Sequence, residues 1–139
     1  MSTDRLACVC WLAPDARHSP GGLVQKLSWL PFFVRVCGPS RLTRALTIME
    51  AMEKNHPRER HFYLAFIAVS PRHHGAGLGS RLLKATLEQV DRAGLPAYVE
   101  SSNPKNATFY QRGGFVAKKN IAPLGAPPLV AMWRDPKMK

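Results

Sequence analysis

The 139-residue chain has room for one domain and one core, and its 45% apolar and 9% aromatic residues, spread along its length, exclude a charged, disordered tail. Twenty Lys and Arg against nine Asp and Glu leave a formal charge of +11, which favours an anionic partner such as a phosphorylated ligand, a nucleic acid or a membrane surface. No apolar run approaches the roughly 20 residues that cross a bilayer, because Pro, Arg or Gly interrupts each one.

The first apolar run, Leu6 to Ala13, lacks the basic leader and small-x-small cleavage site of a signal peptide, and Ala7–Ala13 reads as a strand closed by Pro14 and Asp15. Cys8, Cys10 and Cys37 form an odd set with no partner pair at zinc-like spacing. They are expected to be buried, reduced thiols, with no metal, in a cytoplasmic protein. Leu23, Val24, Leu27, Leu30, Phe33 and Val34 recur at helical spacing, with a kink at Pro31. After Gly38-Pro39, Ser40 is placed to cap a second helix with an apolar stripe of Leu42, Ala45, Leu46, Met49 and Met52, ending near His56-Pro57.

His61 to Val69 is almost continuously apolar, the pattern of a central strand covered on both faces. Leu78 to Ala93 is the strongest helix of the chain, with Leu78, Leu82, Leu83, Leu87 and Val90 on one side and Gly94 as its stop. A strand over Ala97–Ser101, a short helix over Asn106–Gly113 and strands over Phe115–Lys118 and Leu129–Trp133 complete the order. Phe109 and Phe115 are expected in the core.

The chemistry concentrates in the turn Ser70-Pro71-Arg72-His73-His74-Gly75-Ala76-Gly77-Leu78-Gly79-Ser80. Glycines let backbone approach a phosphate, and the helix that follows offers unpaired N–H groups and a partial positive charge. Arg72, Arg81 and Lys84 stand close by in sequence and give part of the net charge a local purpose. The Gly-x4-Gly-Lys-Ser/Thr loop of nucleoside-triphosphate sites is absent. A dinucleotide turn is nearly spelled by Gly75, Gly77 and Ser80, with Glu100 as a ribose-binding acid, but Ser70 to His74 separate it from the strand and too few βα units follow.

Arg72-x-x-Gly75-x-Gly77 after Val69-Ser-Pro71, followed by Tyr98-Val-Glu100-Ser-Ser-Asn103 and Asn106-Ala-Thr-Phe109-Tyr110-Gln-Arg-Gly-Gly114-Phe115, resembles the GNAT superfamily of N-acetyltransferases. The wording of His61-Phe-Tyr63-Leu and Tyr98 to Asn103 is most similar to the puromycin N-acetyltransferase-like branch. The resemblance implies an α/β (α+β) three-layer sandwich, with a mixed, mostly antiparallel sheet flanked by helices. It further implies a single domain over residues 1–139, divided into a shortened acceptor-side part (1–57) and an acetyl-CoA-binding core (58–139). In this family the pyrophosphate of acetyl-CoA lies on the glycine loop, which carries over to Arg72, His73, His74, Gly75, Ala76, Gly77, Leu78, Gly79 and Ser80. The pantetheine arm runs along Ile67, Ala68 and Val69, and Asn103 and Asn106 match positions that contact the cofactor beyond the next strand. Tyr110 matches the tyrosine that protonates the departing thiolate.

Transfer from a thioester to an amine needs a neutral nucleophile and a proton for the leaving sulfur, and a tyrosine hydroxyl suits the latter. Glu100 is the first candidate for the base or water-orienting acid, His61 the second; the alternative for Glu100 is a structural hydrogen-bonding acid. The function expected is acetyl-CoA-dependent N-acetyl transfer to an amine of a small molecule or peptide, with no metal. The alternatives are a CoA-binding protein with weakened catalysis and, on net charge alone, a nucleic-acid-binding module. An antibiotic-like or polyamine amine, an amino acid and a protein N-terminus all remain compatible acceptors. Family members usually carry more strands ahead of the central one. Their lack predicts an exposed sheet edge that a second subunit covers, hence a homodimer.

Overall fold

A computed structural model describes residues 6–14, 35 and 38–137. Apolar strands with alternating faces assemble into a five-stranded sheet. Strand β1 (Ala7–Leu12) precedes helix α1 (Pro39–Asn55), and β2 (Phe62–Val69) leads through a 3-10 turn (Pro71–His73) to helix α2 (Leu78–Arg92). Then β3 (Ala97–Ser101), a second 3-10 turn (Pro104–Asn106), helix α3 (Ala107–Arg112), β4 (Val116–Ile121) and β5 (Leu129–Arg134) close the chain. Spatial order is β1-β2-β3-β5-β4, with only the β2–β3 pairing parallel. The mixed, mostly antiparallel sheet flanked by helices is therefore as expected; the helix over Leu23–Val34 lies outside the described residues.

Two apolar clusters sit on opposite faces of the sheet. On one, Leu83, Leu87 and Val90 of α2 meet Leu64, Val99, Tyr110, Phe115 and Met132. On the other, Ile48, Ala51 and Met52 of α1 pack against Tyr98, Ile121, Leu129 and Ala131. Strand β5 serves both faces, since Val130 and Met132 belong to the first and Leu129 and Ala131 to the second.

Several expectations need correction. Helix α1 starts at Pro39 with Gly38 at the cap position, so Ser40 already lies inside the first turn; proline's fixed φ and missing donor suit that first position. Strand β2 is not covered on both faces: Ala65, Phe66 and Ala68 are exposed, Phe66 by 55%. The thiols are free but not buried. Cys8 is exposed and Cys10 intermediate, because Ala7, Val9 and Trp11 take the α2 side of the edge strand and leave the cysteines on the other. Cys37 lies outside the described residues. Strand β4 runs on to Ile121, three residues beyond the expected end, on an edge where polar side chains face solvent.

A buried ion pair ties the last strand to α2. Arg134, 4% exposed, donates from Nη1 and Nη2 to the two carboxylate oxygens of Asp91 at 2.6 and 2.8 Å, and from Nε to the Gly113 carbonyl at 2.9 Å. The backbone N–H of Lys137 adds a third bond to Asp91. The guanidinium hydrogen bond holds the Asp91 carboxyl below its ordinary range, against the opposing effect of burial. This contribution is therefore complete at neutral pH and fades as pH falls through the lowered value. Asp91→Asn leaves Arg134 buried without its counter-ion, at an expected cost of about 3 kcal/mol. In thermal melts this reads as a Tm lower by roughly 10 °C at neutral pH, with wild type and variant converging as the pH falls through the lowered Asp91 value; equal melts at neutral pH would show that the pair contributes nothing.

Candidate active site

The ladder between β2 and β3 holds only two pairs, Phe62↔Ala97 and Tyr63↔Tyr98. Beyond Tyr63 the two parallel strands part, and β2 keeps its pairing only with β1. A bulge marks the same place: Cys10 faces Phe66 but Trp11 faces Leu64, so Ala65 is the extra residue. The backbone of β2 from Leu64 onward is thus presented to whatever enters the gap.

A groove of about 680 Å³ runs from this segment to α3. Its lining includes Ile67, Ala68 and Val69 at the end of β2, His73, His74, Gly75, Gly77, Leu78, Gly79 and Ser80 of the turn, and Asn106, Phe109, Tyr110 and Arg112. Of the residues expected to hold a cofactor, three do not line it: Arg72 and Ala76 are exposed on the turn, and Asn103 caps the second 3-10 turn, its side chain accepting from the Lys105 N–H at 3.0 Å. Arg112, which the sequence reading missed, and Phe109, expected only in the core, belong to the lining.

The turn is built to receive an anion. Gly75 and Gly77 take φ of 82° and 72°, values that L side chains rarely adopt, and a Cβ on either would meet nothing within 4 Å. The open side of the loop thus faces the groove. Gly77 caps α2 without any side-chain bond, and the first helical turn holds no acid, so its N–H groups and the positive helix end are directed at the ligand space. Gly79 serves close approach instead: its Cβ would lie 3.3 Å from Val69 Cγ2 and 3.5 Å from Phe109 Cε2. His74 Nε2 donates to the Val69 carbonyl at 2.9 Å and closes the turn onto the strand. The Nδ1 of His73 is buried with no hydrogen-bond partner among the described residues, an unmet donor or acceptor in the groove wall. A phosphorylated ligand with an extended, amide-bearing arm fits these groups, as acetyl-CoA does.

Tyr110 reaches the groove from α3, with Phe109 edge-on at 5.1 Å and Phe115 at 6.0 Å. Burial raises its pKa, so the hydroxyl keeps its proton at neutral pH. Glu100 does not line this groove. It sits on the α1 face of the sheet, where Tyr63 donates to Oε2 at 2.8 Å and Tyr98 to Oε1 at 3.0 Å. Burial raises the Glu100 pKa and the two phenol donors oppose that rise. Both tyrosines are pushed well above their ordinary range, first by burial and then by the neighbouring carboxylate. Glu100 is thus a carboxylate with both oxygens engaged, not an open base. The Tyr98-x-Glu100 spacing signals that these two share a face, whereas nothing in the sequence links Tyr63 to residue 100.

His61, the second candidate base, is buried on the same face. Its Nδ1–H donates to the Glu59 carbonyl, and its Nε2 lies 3.1 Å from Nε2 of His56. His56 in turn stands edge-on to Tyr63 and Tyr98 at 5.1 and 5.2 Å. Among the described residues no three His, Cys, Asp or Glu side chains gather as a metal site.

Comparison with known proteins places this geometry. The chain is similar to an uncharacterized N-acetyltransferase of Schizosaccharomyces pombe, at 35% identity over 60 residues that cover 43% of this chain and 24% of that one. The crystal structure of histone acetyltransferase HPA2 and related acetyltransferase from Corynebacterium glutamicum superposes with a TM-score of 0.64 at 26% identity, over 96% of this chain and 59% of that chain. The NatC complex bound to Gag peptide and CoA shares the fold alone (TM-score 0.50, 19% identity, 58% of this chain and 54% of that one). This chain thus spans about a quarter of the yeast relative and three fifths of the bacterial one. The sequence pattern of the acetyltransferase (GNAT) family matches residues 44–115, more than half of the chain and the whole of the strand–turn–helix that forms the groove. The parted strands, the glycine turn and Tyr110 all fall within that match, and the chain belongs to the GNAT acetyltransferase family.

Proposed function

We propose that the protein is an acetyl-CoA-dependent N-acetyltransferase that moves the acetyl group directly to an amine of a small molecule or peptide. The observation that carries this reading is the continuity of one groove from the anion-receiving turn to the Tyr110 hydroxyl. When bound, acetyl-CoA supplies an activated thioester and a thiolate leaving group. The chain's own groups divide the remaining work. Backbone N–H groups of Gly75 to Ser80 hold the pyrophosphate, and the β2 edge at Ile67 to Val69 aligns the amide-bearing arm as an added strand. Tyr110 holds a proton at the mouth of the groove for the leaving sulfur, and Glu100 is the final acceptor of the amine's proton.

The relatives' names, an N-acetyltransferase and a histone acetyltransferase, support an amine acceptor. Likeness to the puromycin N-acetyltransferase-like branch in Tyr98 to Asn103 supports a small one. A second reading, a CoA-binding protein with weakened catalysis, draws on one observation: both Glu100 oxygens are already taken by phenols.

Three outcomes test the assignment. CoA and acetyl-CoA, at about a hundred times their Kd, should stabilise the protein by about 2.7 kcal/mol, a Tm shift of roughly 8 °C, while NAD leaves the melt unchanged; a shift with NAD alone would revive the dinucleotide site. Gly77→Asp puts a side chain and a negative charge into a positive-φ cradle, and CoA should no longer shift the melt. Tyr110→Phe should lower kcat by about 10²- to 10⁴-fold with CoA binding nearly intact; unchanged turnover in an active preparation would remove Tyr110 from the chemistry.

A further inference from the structure

Tyr63 does not line the groove, yet it stands at the point where β2 and β3 part. It is the last residue of β2 paired with β3 before the strands part. Its hydroxyl crosses the opening gap to Glu100 Oε2 at 2.8 Å, the bond that joins the two strands there on the α1 face. Tyr110 approaches from the opposite face, since it packs in the α2-side cluster while Tyr63 packs in the α1-side one. Tyr110 is among the groups that raise the Tyr63 pKa, after burial and Glu100. Among the described residues, the titratable neighbours of Tyr63 include Glu100 and Tyr98 from β3, His56 from the end of α1, and Tyr110 from α3. Tyr98 also donates to Glu100, but it is 2% exposed and held in the core. Tyr63 is the less buried of the two phenols.

Resting on the transfer reading above, we propose that Tyr63 is a catalytic residue that relays the proton of an incoming ammonium to Glu100, so the acceptors served are alkylamines that arrive protonated. The phenol oxygen takes the proton from R–NH₃⁺ as the phenol's own proton passes along the 2.8 Å bond to Glu100 Oε2. The N–H bond of the ammonium and the O–H bond of Tyr63 break, new O–H bonds form on Tyr63 and on Glu100, and a cation and a carboxylate become a neutral amine and a neutral acid. A tyrosine whose hydroxyl already points at a carboxylate passes the proton on without itself becoming a phenolate, a form that burial strongly disfavours here. The relay also explains how a carboxylate with no open lone-pair face on the groove serves as the base.

The test is acetyl transfer to benzylamine, which is an ammonium at neutral pH, and to aniline, which is neutral, followed by release of CoA thiol at saturating acetyl-CoA. Tyr63→Phe keeps the ring and its packing. It should lower benzylamine turnover by about 10²-fold, a typical loss for a proton-transfer group, and aniline turnover by less than about threefold, with the CoA-induced melting shift unchanged. Tyr98→Phe, which removes the other donor to Glu100 but leaves the relay, should cost benzylamine turnover less than about tenfold. Equal losses on both amines, or equal losses in the two tyrosine variants, would show that the hydroxyls only hold Glu100 in place and would overturn the relay. Full benzylamine turnover by Tyr63→Phe would overturn it as well. A wild type that binds acetyl-CoA but acetylates neither amine would overturn the alkylamine acceptor class proposed here, whereas one that binds no acetyl-CoA would overturn the transferase reading itself.

Discussion

Backbone N–H and C=O groups in a sheet must find partners, and two neighbouring strands that share only two residue pairs leave that demand unmet. The parting of β2 from β3 after Tyr63 is the constraint on which the rest of this structure turns. It cannot be closed by sliding the strands together. α2 and α3 pack beneath the sheet through Leu83, Leu87 and Tyr110 while α1 packs above it through Ile48 and Met52, and β3 is held on its far side by five pairs with β5. The gap is therefore a fixed property of the fold. Under the proposed function, an extended, amide-bearing ligand would satisfy β2 there as a neighbouring strand does, with the glycine turn for its phosphates and Tyr110 in the same groove.

The electrostatics of the site follow the same line. The positive end of α2, without a side-chain cap or an acid in its first turn, is suited to the anionic end of the proposed ligand. Glu100, the buried acid of the opposite face, lies across the sheet from it, raised by burial and steadied by two phenols. Keeping the carboxylate off the groove avoids setting it against the phosphates, which in so short a chain would weaken binding. The cost is that both carboxylate oxygens are engaged by phenols and neither opens onto the groove. The net charge of +11 is spread widely, but Arg112 at the groove and the exposed Arg72, Arg81 and Lys84 near the turn place part of it at the phosphate end.

The strand–turn–helix from Phe62 to Arg92 was legible because three independent signals coincide in sequence: an apolar run, glycines where φ must be positive, and an amphipathic helix. The alternation Tyr98-x-Glu100 carries the period-two signal of a shared face. Contacts that depend on register were not legible. Tyr63 and Glu100 are 37 residues apart and meet only because parallel pairing sets Tyr63 beside Tyr98. The exposure of Phe66 and Ala68 contradicts an apolar run that reads as fully buried, since hydrophobicity does not say whether a neighbour strand stays or leaves. Strand β4 was underestimated for the opposite reason: Lys118, Lys119 and Asn120 carry no apolar signal on a solvated edge, yet the ladder with β5 continues through Ile121.

The extra residue Ala65 settles which side of the sheet each side chain of β2 addresses. Tyr63 and Ile67 lie four positions apart, and an unbroken strand would put both on one face; here Tyr63 packs among the α1-side residues and Ile67 among those of α2. The strand thus changes parity once, in the middle of its length. Its first half addresses Glu100 and its second half lines the ligand groove, so one strand is read from above before the bulge and from below after it. Deleting Ala65 would leave Tyr63 and Ile67 three positions apart and still on opposite faces, whereas a regular ladder with Ala65 kept in it would turn the acid-facing phenol and the groove wall onto the same side.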